Sequence, residues 1–232
     1  MPTAVLVDGG FFLKRYRALQ PGGMTAPAEK VAKDLFGLAL KHIDRTEGEK
    51  LYRIFYYDCP PYDKKGHHPL TGKAIDFSKT DRARFQRQFL EELKKLRKVA
   101  LRLGEVRDRG GWQVKREKLN LLLRQTIKVS DLGEHDVYCD IVQKGVDMRI
   151  GLDISSLAFK KQVDRIVLIS GDSDFVPAAK LARREGIDFV LDPMWNPINP
   201  DLHEHIDGLQ SYSPRPVKKS ASAPPHDKPK AP

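Results

Sequence analysis

Three short segments near the C-terminal end of the sequence constrain the fold most strongly. Arg165–Ile169 is a largely apolar stretch, Phe175–Glu185 has the spacing of an amphipathic helix that Gly186 ends, and Ile187–Leu191 is a second apolar stretch. Two strands joined by a helix of this length pair in parallel, with a right-handed crossover between them. We therefore predict an α/β fold, a parallel sheet with helices on both faces.

Other segments supply further elements of the same sheet. Ala4–Asp8 is a short apolar run that ends in a carboxylate, which indicates a buried central strand followed by a tight turn at a Gly-Gly pair. Leu51–Tyr57 is rich in aromatic and β-branched residues and is predicted to be a strand. Residues 28–44 and the segment that begins at Val146 have helical periodicity.

The segment from about residue 60 to residue 130 is predicted to be an insertion into this sheet. Thr80 is a suitable N-cap for a helix that would run to about residue 99. Leu101–Val106 and Trp112–Lys115 are separated by Asp-Arg-Gly-Gly, which favours a hairpin. We therefore expect a basic helix-plus-hairpin insertion.

The net positive charge of the chain comes from this segment. The chain has 232 residues and a formal net charge of +10, and Lys79–Lys128 contains sixteen Lys and Arg residues against six Asp and Glu residues. A concentrated basic surface attracts polyanions such as nucleic acid, although a solvated basic helix face is the alternative. The candidate nucleic-acid-binding residues are Arg82, Arg87, Lys94, Lys98, Lys115 and Arg116, which would contact phosphate, and Trp112, which would stack on a base.

The two ends of the chain and its cysteines bound the domain organisation. Ser213–Pro232 contains six Pro and five Lys or Arg residues, which predicts a disordered tail after a folded domain of residues 1–212. No apolar run is long enough to span a bilayer, and the N-terminus does not have the pattern of a secretory signal. The two cysteines are 80 positions apart. We expect a cytoplasmic protein with no membrane partner and no disulfide framework.

Four aspartates occur where this sheet would place a site. Asp8 ends the first strand, and Asp172 and Asp174 directly follow Ile166–Ile169. Asp147 opens the preceding helix. Sites in open α/β sheets lie outside the carboxyl ends of the strands, so these side chains would converge if the two strands are neighbours. Clustered carboxylates repel one another unless a cation lies among them, and oxygen ligands suit Mg²⁺ or Mn²⁺. Capping a helix or turn is the alternative role for each aspartate taken singly.

These motifs also carry a family resemblance. Val7-Asp8-Gly9-Gly10, Lys144-Gly145-Val146-Asp147 and Ser170-Gly171-Asp172-Ser173-Asp174-Phe175 together resemble the NYN domain, the LabA-like branch of the PIN-like nuclease superfamily. The resemblance spans residues 5–209, more thinly across the basic insertion. It implies a Rossmann-like, PIN-like sheet and an endoribonuclease dependent on Mg²⁺ or Mn²⁺, with the four aspartates as catalytic metal ligands. Many members carry Asn shortly after the first Asp, whereas Gly-Gly-Phe-Phe follows it here.

Two other functions stay open on the sequence alone. A catalytically weak or silent RNA-binding regulator would keep the same fold and basic surface. A metal-dependent phosphatase for small esters would need the aspartates but not the basic segment. Serine hydrolases and dinucleotide-binding enzymes are disfavoured, because G-x-S-x-G and G-x-G-x-x-G are absent. The sequence also leaves open DNA as a substrate, one metal or two, the preferred RNA sequence, and whether the protein is a homodimer.

Overall fold

The computed structural model describes residues 1–216, so most of the predicted tail, residues 217–232, lies outside the described residues. In chain order the strands are β1 Pro2–Asp8, β2 Lys50–Asp58, β3 Lys65–His67, β4 Ala74–Asp76, β5 Val99–Leu103, β6 Glu105–Val114, β7 Val137–Lys144, β8 Arg165–Ile169, β9 Asp188–Asp192 and β10 Gly208–Leu209. The α-helices are α1 Gly9–Leu19, α2 Ala28–Lys41, α3 Asp81–Lys95, α4 Arg116–Leu123, α5 Val146–Phe159, α6 Val176–Arg184 and α7 Pro200–Glu204. Among these described helices, none has the length and apolar character needed to cross a bilayer.

Six strands form a central sheet in the order β10-β9-β8-β1-β2-β5, and every neighbouring pair is parallel. The predicted α/β fold with a parallel sheet is therefore confirmed. Strands β1 and β8 are neighbours, with Val7 opposite Ile169. Because all six strands run in one direction, their carboxyl ends lie at the same edge of the sheet, which we term the carboxyl edge.

Helices cover both faces of the sheet, which explains why β1 is apolar at consecutive positions. Leu6 packs in a cluster with residues of α5 and α6, including Ile150. Val5 and Val7 point the other way and pack with residues of α1, α2 and α3, including Leu35. Each fully buried side chain of this size stabilises the fold by about 1.5–3 kcal/mol relative to its exposed state.

The basic segment is organised differently from the prediction. Thr80 does cap α3, because its hydroxyl oxygen accepts the Ala83 N–H. The helix ends at Lys95, however, and the chain then forms β5, an edge strand of the central sheet paired with β2. Helix α3 buries Phe89 and Leu93 in the core. Helix α3 and β5 are thus part of the main fold.

The predicted hairpin is wrong. Residues 105–114 form one strand, β6, which pairs with β7 in an antiparallel ribbon. The Asp-Arg-Gly-Gly sequence makes a bulge, in which Asp108 pairs with Ile141 and Trp112 with Cys139. Gly110 and Gly111 have φ values of 117° and 110°, and the Asp108 carboxylate accepts both of their N–H groups. The two glycines therefore absorb a local bend without reversing the chain.

The β6–β7 ribbon rises from the carboxyl edge of the sheet. Gly104 links β5 to β6, and its N–H donates a 2.7 Å hydrogen bond to the carbonyl oxygen of Asp58 at the end of β2. At the other side of the ribbon, β7 leads through Gly145 into α5. The short β3–β4 pair lies in the loop between β2 and α3. Cys59 and Cys139 are both free.

Candidate active site

Asp8 lies where β1 passes directly into α1, so the predicted tight turn is the first turn of a helix. Its Oδ1 accepts the Phe11 N–H at 3.1 Å, and the Ser170 hydroxyl donates to its Oδ2 at 3.3 Å. A Cβ at Gly9 would collide with the Tyr56 hydroxyl. Only glycine at this position therefore allows α1 to begin so close to β2. Asp8, which directly precedes α1, consequently lies at the carboxyl edge.

Asp172 and Asp174 follow β8, the strand beside β1, and both side chains are exposed. The Asp172 carboxylate accepts the Asp174 N–H at 3.0 Å and so caps the short turn that precedes α6. Capping was the alternative role considered for each aspartate, and in this loop the capping residue is Asp172 and not Asp174. The Ser170 hydroxyl oxygen accepts the Asp172 N–H at 3.4 Å, which links this loop to the hydroxyl that contacts Asp8.

Asp147 reaches the same edge from the first turn of α5. Gly145 occupies the N-cap position with a φ of 75°, a left-handed conformation that favours glycine, so Asp147 does not cap the helix. Burial raises the pKa of Asp147, and the negative charges of Asp172 and Asp174 raise it further. The charges of Asp172 and Asp174 are therefore close enough to disfavour ionisation of Asp147.

The pKa of Asp8 connects it to the same group. Burial raises this pKa most, the hydrogen bond from the Phe11 N–H opposes that shift, and the charges of Asp147 and Asp58 raise it further. We term Asp8, Asp147, Asp172 and Asp174 the rim aspartates. Their mutual repulsion is the situation that a bound divalent cation relieves.

The donor set of the rim fits Mg²⁺ or Mn²⁺, because it offers carboxylate oxygens without sulfur or imidazole. The oxygens are nevertheless spread apart in this conformation. Within residues 1–216, the one trio of candidate ligands whose donor atoms all lie within 4.8 Å of one another is Asp201, Glu204 and His205, at α7. Three or more of the rim aspartates would have to move closer together to share one ion.

Asp58 is a further carboxylate at this edge and was not predicted from the sequence. It ends β2 as Asp8 ends β1, and only 2% of its surface is exposed. It accepts hydrogen bonds from the Cys59 N–H at 2.7 Å, the Gln143 amide at 2.9 Å and the Tyr56 hydroxyl at 3.1 Å. Burial raises the pKa of Asp58, and these hydrogen bonds lower it. An aspartate at the end of a predicted strand was the signal that could have identified it.

Two other aspartates near the sheet have structural partners. Asp192 ends β9, but its side chain is buried and its Oδ2 lies 2.9 Å from His42 Nε2. Asp153 lies on α5, six residues after Asp147; it accepts hydrogen bonds from the Tyr57 hydroxyl at 2.8 Å and from Arg102 at 3.0 Å. The position of an aspartate at a strand end or on α5 is thus not sufficient to place it in the rim.

An aromatic side chain and an amide lie near Asp8. The Phe11 ring covers Gly171, where a Cβ would lie 2.7 Å from Phe11 Cε2. A Cβ at Gly10 would lie 3.6 Å from Asp8 Oδ1 and 3.8 Å from Gln143 Oε1. The amide oxygen of Gln143, from β7, therefore faces the surface beside Asp8.

A groove of about 520 Å³ lies against this side of the rim and is lined by three basic side chains, those of Lys14, Arg17 and Arg82. Asp58 and Gln143 line it as well. We term it the basic groove. Of the predicted phosphate-binding residues, Arg82 is the one placed in it, because α3 begins near the carboxyl edge.

The other predicted nucleic-acid-binding residues are spread over the surface. Lys98 lies at the opposite edge of the sheet, where its ammonium group donates to the carbonyl oxygen of Leu51. Lys94 pairs with Glu91 at 2.6 Å. The remaining three cations, all exposed, are Arg87 on the outer part of α3 and Lys115 and Arg116 at the far end of the β6–β7 ribbon. Trp112 is half-buried on β6.

Comparison with family models gives the family of this chain. The family model described as NYN domain matches residues 74–196, which include Asp147, Asp172, Asp174 and most of the basic segment. No curated protein sequence matches this chain. One similar solved structure is that of a protein of unknown function from Vibrio parahaemolyticus, with 16% identity, 91% of this chain and 93% of that chain covered, and a TM-score of 0.47. Because the family model spans more than half of its residues, this chain belongs to the NYN domain family, whose fold is of the PIN-like nuclease type.

Proposed function

We propose that this protein is a metal-dependent endoribonuclease that hydrolyses RNA phosphodiesters at the rim aspartates. NYN domain proteins are generally nucleases. The observation that carries the proposal is electrostatic. Burial raises the pKa of both Asp147 and Asp8; the charges of Asp172 and Asp174 raise that of Asp147 further, and the charge of Asp147 raises that of Asp8 further. Carboxylates that converge at the carboxyl edge of a parallel sheet, where their negative charges oppose one another, are suited to binding a divalent cation.

The rim aspartates would hold Mg²⁺ or Mn²⁺. When bound among carboxylates, such an ion activates water and neutralises the charge of a phosphodiester. Asp8 is pre-oriented for this role by the Phe11 N–H and the Ser170 hydroxyl, and Asp172 by the Asp174 N–H. These hydrogen bonds fix the orientation of two of the four rim carboxylates before an ion binds.

The basic groove would hold the RNA backbone next to the rim. Lys14, Arg17 and Arg82 provide three cations beside the carboxylates, and each phosphate contact they make would release counterions from the nucleic acid. A phosphatase for small esters would have no use for such an open cationic groove, so we favour a polymeric substrate.

A catalytically weak or silent RNA-binding protein is the alternative. It is supported by the spread of the rim carboxylates, since among the described residues only the trio at α7 has its donor atoms within 4.8 Å of one another. Phe11 near Asp8, where many family members carry Asn, favours the same alternative.

A cleavage assay on labelled single-stranded RNA separates the two functions. The wild type, Asp172→Asn and the matched control Asp164→Asn, an exposed aspartate just before β8, would be compared in Mg²⁺, Mn²⁺ and EDTA, with a DNA of the same sequence alongside. We expect metal-dependent RNA cleavage by the wild type and the control, reduced at least about 100-fold in Asp172→Asn, with RNA binding retained. If no protein cleaves while RNA binding stays salt-sensitive, the alternative is correct.

A further inference from the structure

A cavity of about 320 Å³ lies between the β6–β7 ribbon, the first half of α3 and the loop that follows β2. Three aromatic side chains contribute to its wall, namely Tyr62, Phe77 and Trp112. The volume falls at the lower end of the range of about 300–1,000 Å³ that is typical of small-ligand sites. We term this cavity the aromatic pocket.

The rings of the aromatic pocket are held in place by contacts behind them. Tyr62 meets Phe77 edge to face at 5.1 Å between ring centroids, and its hydroxyl donates to Asp108 at 3.1 Å. Trp112 meets the buried His68 ring at 4.9 Å, and His68 Nε2 is 3.0 Å from a backbone carbonyl oxygen. All three pocket rings are half-buried, so part of each remains open to a ligand.

Polar groups lie on one side of the aromatic pocket. Arg82, Gln86 and Gln143 line both this pocket and the basic groove, so the two cavities adjoin. The Gln86 amide nitrogen donates to the carbonyl oxygen of Cys59 at 2.8 Å, and that of Gln143 to Asp58 at 2.9 Å. The amide oxygens of both glutamines are thereby left as acceptors, that of Gln143 on the side of the basic groove, where it faces Gly10.

We infer that the aromatic pocket binds one unstacked nucleobase, and that the protein therefore acts on RNA with unpaired nucleotides. Flat aromatic walls with hydrogen-bonding groups along one side suit a base, whose faces stack and whose edge is polar. The adjoining cations indicate that the ligand carries phosphate. A base in a regular duplex is stacked on both faces and does not reach such a pocket. The inference rests on the proposed function for the choice of RNA as the ligand.

Fluorescence of Trp112 tests whether a base enters the pocket. The chain has two tryptophans, so Trp195→Phe leaves Trp112 as the only one. This variant would be titrated, in EDTA to suppress cleavage, with a ten-nucleotide oligouridylate, with a duplex of the same length, and with an abasic backbone of the same length. We expect strong quenching by the single strand and little by the other two. Equal quenching by the single strand and the abasic backbone would overturn the inference.

Binding of labelled oligouridylate by variants of the pocket tests its contribution to affinity. Trp112→Ala is expected to weaken binding about 5- to 140-fold, the effect of losing one stacking partner. Trp112→Phe keeps a ring and should retain affinity within about threefold. Tyr138→Ala is the matched control, because Tyr138 is exposed and neighbours Cys139, a pocket residue, so its side chain points to the opposite face of β7. Equal losses in Trp112→Ala and Tyr138→Ala would contradict a base pocket.

The inference and the proposed function fail in different ways. If the wild type cleaves RNA but Trp112→Ala binds oligouridylate as tightly as the wild type, the base pocket is wrong and the nuclease stands. If no metal supports cleavage but single-stranded RNA still quenches Trp112 selectively, the nuclease is wrong and the base pocket stands.

Discussion

Gln143 ties the β6–β7 ribbon to the central sheet, because its amide nitrogen donates a 2.9 Å hydrogen bond to the buried Asp58 carboxylate at the end of β2. The same glutamine lines both the aromatic pocket and the basic groove. Its amide oxygen faces the surface beside Gly10, next to Asp8. Gln143 thus forms part of the wall of each cavity and links the two cavities to the carboxyl edge.

Replacing Gln143 with Ala should therefore affect both stability and RNA binding. A hydrogen bond to a charged group contributes about 1.5–3 kcal/mol when it is buried, and Gln143 is largely exposed, so we expect the free energy of unfolding to fall by about 1 kcal/mol. Urea denaturation measures this change. Gln113→Ala is the control, since Gln113 bonds Asp140 within the ribbon itself, without reaching the sheet. An equal effect of the two variants would contradict the role assigned to Gln143.

Arg82 and Lys98 belong to one basic segment but lie at opposite ends of the sheet. Arg82→Ala should weaken RNA binding across sequences and lower the slope of log K against log salt by about 1, the effect of losing one phosphate contact. Lys98→Ala should leave that slope unchanged, because Lys98 contacts the backbone of Leu51 far from the basic groove. Anisotropy titrations at several salt concentrations measure both slopes. If Lys98→Ala lowered the RNA affinity and the salt slope as much as Arg82→Ala does, the RNA would follow a different path.

Asp8→Asn should stabilise the metal-free protein at neutral pH. Burial and the charges of Asp147 and Asp58 disfavour ionised Asp8, while an Asn can still accept the Phe11 N–H and the Ser170 hydroxyl. The same change removes a metal ligand. Thermal unfolding in EDTA should therefore show a higher Tm for the variant, and added Mn²⁺ should raise the Tm of the wild type by more. A lower Tm in EDTA would show that the Asp8 charge itself supports the fold.

The advantage of Asp8→Asn should also depend on pH. The pKa of Asp8 is raised in the folded state above its ordinary value of 3.8, so folded wild type binds this proton more readily than the unfolded chain. The difference in unfolding free energy between Asp8→Asn and the wild type is therefore largest above the pKa of Asp8 in the folded state. It declines as the pH falls through that value and vanishes below about 3.8. Denaturation series of both proteins at matched pH values measure it. A difference that grows towards acid pH would contradict the assigned shift.

Asp192 and Asp174 follow neighbouring strands, but the structure gives them different roles. Asp192→Ala should lower the unfolding free energy by about 3 kcal/mol, because it leaves His42, the Met194 N–H and the Ser211 hydroxyl without their buried partner. Asp174→Ala, at an exposed position, should change stability by less than about 0.5 kcal/mol. Chemical denaturation of both variants checks the contrast. Comparable losses would show that Asp174 also has a structural role.

Local patterns in the sequence were sufficient to predict the central strands and helices. They also indicated where along the chain the rim aspartates lie. The apolar run before Asp8 and the strand before Asp172 are buried on both faces, and burial of that kind leaves a direct signature in residue type. The helical spacing after Val146 likewise reports the one face of α5 that packs on the sheet.

Only the tertiary structure decided which residues meet. Asp58 and Asp192 both end strands, yet one lies beside the rim and the other is paired with His42 across the core. The Asp-Arg-Gly-Gly sequence fits a turn as well as a bulge, and its conformation follows from the pairing of β6 with β7. The periodicity of apolar residues indicates which face of each segment is buried. Pairing and the grouping of charges depend on contacts between segments far apart in the chain, which no local pattern contains.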